Sequence, residues 1–236
     1  MNRKIKLLSF ICIAITFAMV FPNHIEALEP KYPTLRELIE NDMIDLSEMS
    51  YAEPYGLDDQ VAGVLTIYSS TSGNSSLTSL GLQGHAWITV RNYQKTRSYG
   101  TKSLSSNQFC SIGTWPSFIT GYNGVWYNYE RNKRSGYANN SSQVTYAKQT
   151  FSPIAYSRLN SVINSYGKTW APADNCTHFA TKTWNSVSNI KLTINSNANT
   201  PSKLSNQIKS KCTYHIGVND ADFTSCSSSS SSVSHY

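Results

Sequence analysis

The hydrophobic period of this chain changes once, near Ser152-Pro153, and that change constrains the fold more than any other feature. Upstream lie short β-branched and aromatic runs at 61–68, 84–90, 97–101, 124–130 and 143–149, separated by loops rich in Ser, Thr, Gly and Asn. Runs of that length and composition predict strands. The turn-like 92–95 predicts an antiparallel hairpin between the runs on either side of it. Gly113-Thr114-Trp115-Pro116 reads as a loop, and the basic residues Arg131, Lys133 and Arg134 as an exposed turn. Downstream the period becomes helical. Ser152 is an N-cap with Pro153 at the first helical position, and Ile154, Leu159, Val162, Ile163 and Tyr166 fall on one face before Gly167 ends the run. Thr200-Pro201 starts another helix, with Leu204 and Ile208 on its face. Strands in one block and helices in the next predict an α+β domain.

That domain needs only part of the 236 residues. Residues 1–27 have the form of a removable secretory leader. Arg3, Lys4 and Lys6 precede an apolar run from Leu7 to Phe21, and Ile25-Glu26-Ala27 offers a cleavage point. The run is short for a membrane span, although an uncleaved anchor is the alternative. The leader predicts a secreted or cell-wall-associated protein with no stable membrane insertion once it is removed. Residues 28–60 form an acidic extension: a pro-segment, a docking arm or a plain extension. Residues 61–224 make the body, and the Ser-rich 225–236 reads as a disordered tail.

Charge divides along the same line. Residues 28–60 hold nine acids against Lys31 and Arg36, whereas 61–236 hold 15 bases against Glu130, Asp174, Asp220 and Asp222. A basic body behind an acidic extension fits docking of one on the other, or attraction to anionic surface polymer. The bases are scattered, without a dense run or regularly spaced aromatics, so the pattern does not predict nucleic-acid binding. Four cysteines remain after the leader: Cys110, Cys176, Cys212 and Cys226. They are too sparse for a disulfide scaffold. Cys212 with Cys226, or Cys110 with Cys176, are the pairings the spacing leaves open.

The chemistry concentrates in Asp174-Asn175-Cys176-Thr177-His178-Phe179. Asp174 or Asn175 is a natural N-cap, and Phe179, Ala180, Thr183, Trp184 and Val187 then recur at helical spacing to about Asn189. Cys176 is thereby placed in a first helical turn, where unpaired backbone N–H groups and the positive end of the helix dipole favour the thiolate. Far upstream, His85 leads the strand-like run Gly84-His85-Ala86-Trp87-Ile88-Thr89-Val90. A base on a strand beside a thiol at a helix start makes an activated nucleophile. His178 lies two positions from Cys176, so on a helix the two side chains diverge and do not share an ion. No zinc spacing, phosphate-binding loop or G-x-S-x-G elbow is present, and no cofactor or metal is expected.

Gly84-His85 followed by Asn175-Cys176-Thr177-His178-Phe179 resembles the circularly permuted papain-like group, which includes relatives of the NlpC cell-wall peptidases and of lecithin–retinol acyltransferase. In that group the histidine precedes the cysteine, and the cysteine motif commonly reads N-C-x-x-F. The resemblance covers about residues 61–212. It implies an antiparallel sheet packed against a helix that bears the nucleophile at its N-terminus. It also implies a thiol hydrolase with Cys176 as nucleophile and His85 as base, acting on an amide or peptide bond in a peptide or cell-wall substrate. An acyltransferase or thioesterase, or a non-catalytic secreted binding domain, are the rival readings. Relatives carry a third polar residue that orients the imidazole. Here the matching place is near Arg97, which has no acceptor, and Asn128 is the expected substitute ahead of Asn92, Tyr99 and Thr101.

Overall fold

The computed structural model describes residues 32–50, 56–72, 84–194, 199–219 and 232–236, all within one unit spanning 32–236. The leader and Cys226 lie outside the described residues. The short helix α1 (Leu35–Glu40) starts with the capping box that Thr34 and Glu37 encode. The body then runs through β1 (Gly63–Ser70), β2 (His85–Asn92), β3 (Arg97–Tyr99), β4 (Lys102–Leu104) and β5 (Phe109–Trp115). Next come α2 (Ser117–Thr120), β6 (Gly124–Tyr127), α3 (Tyr129–Asn132), α4 (Arg134–Asn139) and β7 (Val144–Phe151). The helical block is α5 (Pro153–Tyr166), α6 (Cys176–Val187) and α7 (Pro201–Lys211), followed by β8 (Tyr214–Ile216) and β9 (Ser234–His235).

Seven strands form one sheet in the order β8-β7-β1-β2-β5-β6-β9, with every pairing antiparallel. The domain is therefore α+β, as the change of period requires. Alternation along the strands sends Leu65, Ile67, Ala86, Ile88, Ile112 and Ala147 to one face. There they pack with Leu159 and Ile163 of α5, Phe179 and Trp184 of α6, and Leu204 and Ile208 of α7. The opposite face carries Tyr68, Trp87 and Tyr146, with Tyr68 stacked on Trp87 at 4.9 Å between ring centroids.

Several strand assignments differ from expectation. Arg97–Tyr99 does not pair with β2. It forms a separate two-stranded hairpin with Lys102–Leu104, and β2 pairs instead with β5. β5 includes Gly113-Thr114-Trp115, which read as a loop because glycine is a poor strand former. Gly113 lies inside the strand because its missing side chain is needed: a Cβ there would sit 2.0 Å from Glu130 Oε1. The run 124–130 is a strand only to Tyr127. Asn128 takes the left-handed conformation (φ 59°) and turns the chain into α3, so the basic stretch after it is helical. At the end of the chain Ser234–His235 pair with the sheet edge as β9, where a disordered tail was expected, and 225–231 lie outside the described residues.

The described part of the acidic segment packs on the body. Leu35, Leu38, Ile44 and Met49 cluster with Val61, Val64 and Tyr93, and the Tyr93 hydroxyl donates to Met43 O at 3.0 Å. Among the described residues no helix is long and apolar enough to cross a membrane.

Candidate active site

The glycine before His85 is required by backbone geometry. Gly84 has φ +86°, and a Cβ there would lie 2.1 Å from Ser70 O. β1 and β2 can therefore pair up to Ser70 and His85, which fixes the histidine at the sheet's end. Asn175 does equivalent work for the cysteine. Its Oδ1 accepts from Thr177 N (2.9 Å) and His178 N (3.4 Å), while its Nδ2 donates to Pro172 O and Asn199 O. One side chain caps α6 and ties its start to two loops. The N–H of Phe179 closes on Asn175 O, so the Cys176 N–H is the one first-turn donor that the cap leaves over.

These two devices bring Cys176 and His85 together, although they lie far apart in the sequence. Both side chains are almost wholly buried. Burial alone would raise the Cys176 thiol. The facing His85 charge and hydrogen bond outweigh it, with help from the Ala86 backbone N–H, and the thiol is lowered from its ordinary 9.0. Burial likewise disfavours the imidazolium. The charges and hydrogen bonds of Cys176 and then Glu130 overcome it and push His85 from 6.5 up to about 9. Stabilisation from charged His85 is complete below pH 6.5, its unfolded value, and is lost as pH rises through about 9.

The imidazole is oriented by Glu130. His85 Nε2 lies 3.0 Å from Glu130 Oε1, which leaves Nδ1 as the nitrogen for the thiol. The carboxylate is completely buried and fully engaged. Trp115 Nε1 donates to Oε1 at 2.7 Å, and Ser111 Oγ donates to Oε2 at 3.0 Å. Trp115 also covers the imidazole, with ring centroids 3.9 Å apart, and Trp87 stacks beyond at 5.7 Å. Indole rings this near favour the cationic form of the imidazole.

Asn128, the expected third member, is two residues away and differently employed. Its Oδ1 accepts from Ser111 N at 3.3 Å and its Nδ2 donates to Ser232 O at 3.3 Å. Asn92 ties the loop carbonyls of Gln94 and Leu104, the Tyr99 hydroxyl bonds to Asn92, and the Thr101 N–H bonds to the Tyr127 hydroxyl. Arg97 bonds to Gln94 and Tyr32. Sequence reasoning missed Glu130 because it continued the strand through residue 130. The available signal was compositional: Glu130 is the only glutamate after residue 60.

Two spaces meet at this cluster. A narrow slot lined by Trp115, Pro116, Trp170 and Pro201 reaches Cys176 and His85, and Thr114, whose buried hydroxyl has no hydrogen-bond partner among the described residues, also lines it. An open cleft of ≈ 810 Å³, lined by Tyr129, Lys133, Tyr137, Asn140 and Gln143, reaches His85 and Trp115 as well. His178 is buried beside the cap, its Nδ1 3.5 Å from Asn175 Oδ1. No disulfide joins Cys110 to Cys176, and burial pushes the Cys212 thiol up to about 11. Among the described residues no group of three or more His, Cys, Asp or Glu is arranged to hold a metal ion. Comparison with protein-family models, curated proteins and solved structures gives no match.

Proposed function

We propose that this chain is a secreted cysteine hydrolase of the circularly permuted papain-like kind, cleaving an amide bond in peptide substrates such as those of the cell wall. One observation carries the reading: a buried imidazole held between a thiol at a helix start and a buried carboxylate. The histidine belongs to a strand that precedes the cysteine helix, the order expected of that group.

Each residue then has a role in acyl transfer. The Cys176 thiolate attacks the carbonyl carbon, and the oxyanion develops beside the spare Cys176 N–H at the positive end of α6. Thr114, with its unpartnered hydroxyl in the same slot, offers a second donor. The His85 imidazolium gives its proton to the leaving amine, the C–N bond breaks, and the acyl group stays on sulfur as a thioester. Neutral His85 next takes a proton from water, hydroxide attacks the thioester, and the carboxylic acid leaves as the thiolate–imidazolium pair re-forms. Glu130 holds the ring and balances its charge throughout, without itself taking the proton. The open cleft is lined by amide, hydroxyl and ammonium groups suited to a peptide backbone.

The test pairs labelling with turnover. Iodoacetamide should modify Cys176 ahead of Cys110 and Cys212 as pH rises through the lowered thiol range, and His85→Ala should slow that reaction. Amide cleavage of a cell-wall peptide digest, read by mass spectrometry as new amines, should vanish in Cys176→Ala. It should also decline as pH rises through about 9, where His85 loses the proton the leaving group needs. Equal labelling of the three thiols at pH 6, or cleavage that survives Cys176→Ala, would remove the reading.

A further inference from the structure

The strand at the sheet edge beside this site is held by contacts that reach the Glu130 carboxyl group. β6 would otherwise present unpaired backbone groups at the edge. Residues 232–236 cover them by strand addition, with His235 opposite Trp126 and Ser234 opposite Tyr127, and Tyr236 N donating to Val125 O at 3.0 Å.

Side chains give the docking its specificity. The Tyr236 ring fits a slot floored by two glycines. A Cβ at Gly167 would lie 3.1 Å from the ring and one at Gly100 3.3 Å, and the Tyr236 hydroxyl reaches Asn164 Oδ1 at 3.0 Å. The His235 ring stacks on Tyr122 with centroids 4.2 Å apart. A row of backbone pairs, one aromatic anchor in a shaped slot and a hydrogen bond at its far end are the parts of a peptide-recognition site.

From this segment a continuous polar path leads inward. Ser232 O accepts from Asn128 Nδ2, and Asn128 Oδ1 accepts from Ser111 N. Ser111 Oγ donates to Glu130 Oε2, and Glu130 Oε1 meets His85 Nε2. Asn128 is also the left-handed residue at which β6 turns into α3, the helix that carries Glu130. A left-handed non-glycine residue persists only where its surroundings hold it, and Ser232 is one of the groups holding this one.

We propose that residues 232–236 act as a tethered peptide ligand of the β6 edge, and that their docking positions Glu130 against His85 through Asn128. The docking half stands on its own contacts, whereas the positioning half rests on the catalytic role proposed above. Because the segment is tethered, its effective concentration is on the order of millimolar, so a weak intrinsic affinity suffices to keep it seated.

The test uses the full chain, its Tyr236→Ala variant and a fluorescein-labelled Ser-Val-Ser-His-Tyr peptide. The peptide should bind the variant at least tenfold more tightly than the parent, whose own segment competes. Amide hydrogen exchange along β6 should accelerate in the variant and slow again when unlabelled peptide is added. His235→Ala, which removes the stack on Tyr122 from the segment's side, supplies a milder version if Tyr236→Ala folds poorly. Binding to neither protein, with unchanged exchange, would overturn the docking site. Protection that depends on protein concentration would hand the edge to a second copy and overturn the assignment in cis. For positioning, the midpoint of Cys176 alkylation against pH should move up in the variant and return with peptide. A lost strand with an unmoved midpoint would break the link to Glu130 while leaving the proposed chemistry standing, because that chemistry is tested separately by Cys176→Ala.

Discussion

The cluster at His85 and the acidic segment before residue 61 both join charged groups to the rest of the body, and they do so by opposite means. At His85 the ionisable groups are buried and paired: a thiol facing an imidazole, and a carboxyl group with three partners around it. Charges so placed are costly to bury and are kept only where they are completely satisfied. Here they shift pKa values in a direction useful for nucleophilic catalysis. The acidic segment has the larger charge imbalance, yet its described part meets the body mainly through Leu35, Leu38, Ile44 and Met49. Its ionic contacts are peripheral. Lys148 pairs with a Glu48 side chain that is 39 % exposed, and Arg36–Asp58 lies within the segment itself, with both partners open to solvent. The abundance of charge is thus a poor guide to where charge matters. Attachment comes from apolar burial, and tuned chemistry from a few groups removed from water.

The comparison can be broken first at Glu130. Glu130→Gln keeps the shape but removes the charge, and kcat/KM for amide cleavage should fall by about 10²- to 10⁴-fold, as for the loss of other orienting carboxylates. Unchanged turnover in steady-state kinetics would reduce Glu130 to a packing residue. Next comes Leu38→Ala, which opens a hole in the apolar seam of the segment. It should cost about 2–5 kcal/mol in denaturant unfolding while activity per folded molecule stays the same. A loss of activity without loss of stability would tie the segment to the site. The smallest effect belongs to Glu48→Gln. A partly exposed pair contributes at most about 1 kcal/mol, so the unfolding midpoint should scarcely move, and added salt should leave the segment seated. A large drop would restore the electrostatic account of docking.

Much of the site was legible because its two halves are written locally. Asn175 and the periodic run after Cys176 specify a helix start, and the β-branched run that His85 leads specifies a strand. The third group was not legible. Glu130 reaches His85 only because Asn128 adopts a left-handed backbone, and a single sequence does not display a dihedral angle that neighbours impose. Gly113 was misread for a related reason, since its lack of a side chain makes sense only once Glu130 occupies that space. Ser232–Tyr236 carries a composition typical of disorder, and becomes a strand because β6 offers an edge and two glycines leave a slot for Tyr236.

The change from strands to helices, the capped helix start that carries Cys176 and the strand that His85 leads were therefore determined by the sequence itself, because each depends on residues within a few positions of one another. Which carboxylate meets the imidazole, which strand neighbours which, and what closes the sheet were decided by the tertiary structure alone. Those outcomes depend on contacts between distant segments, where packing and backbone pairing outweigh local propensity.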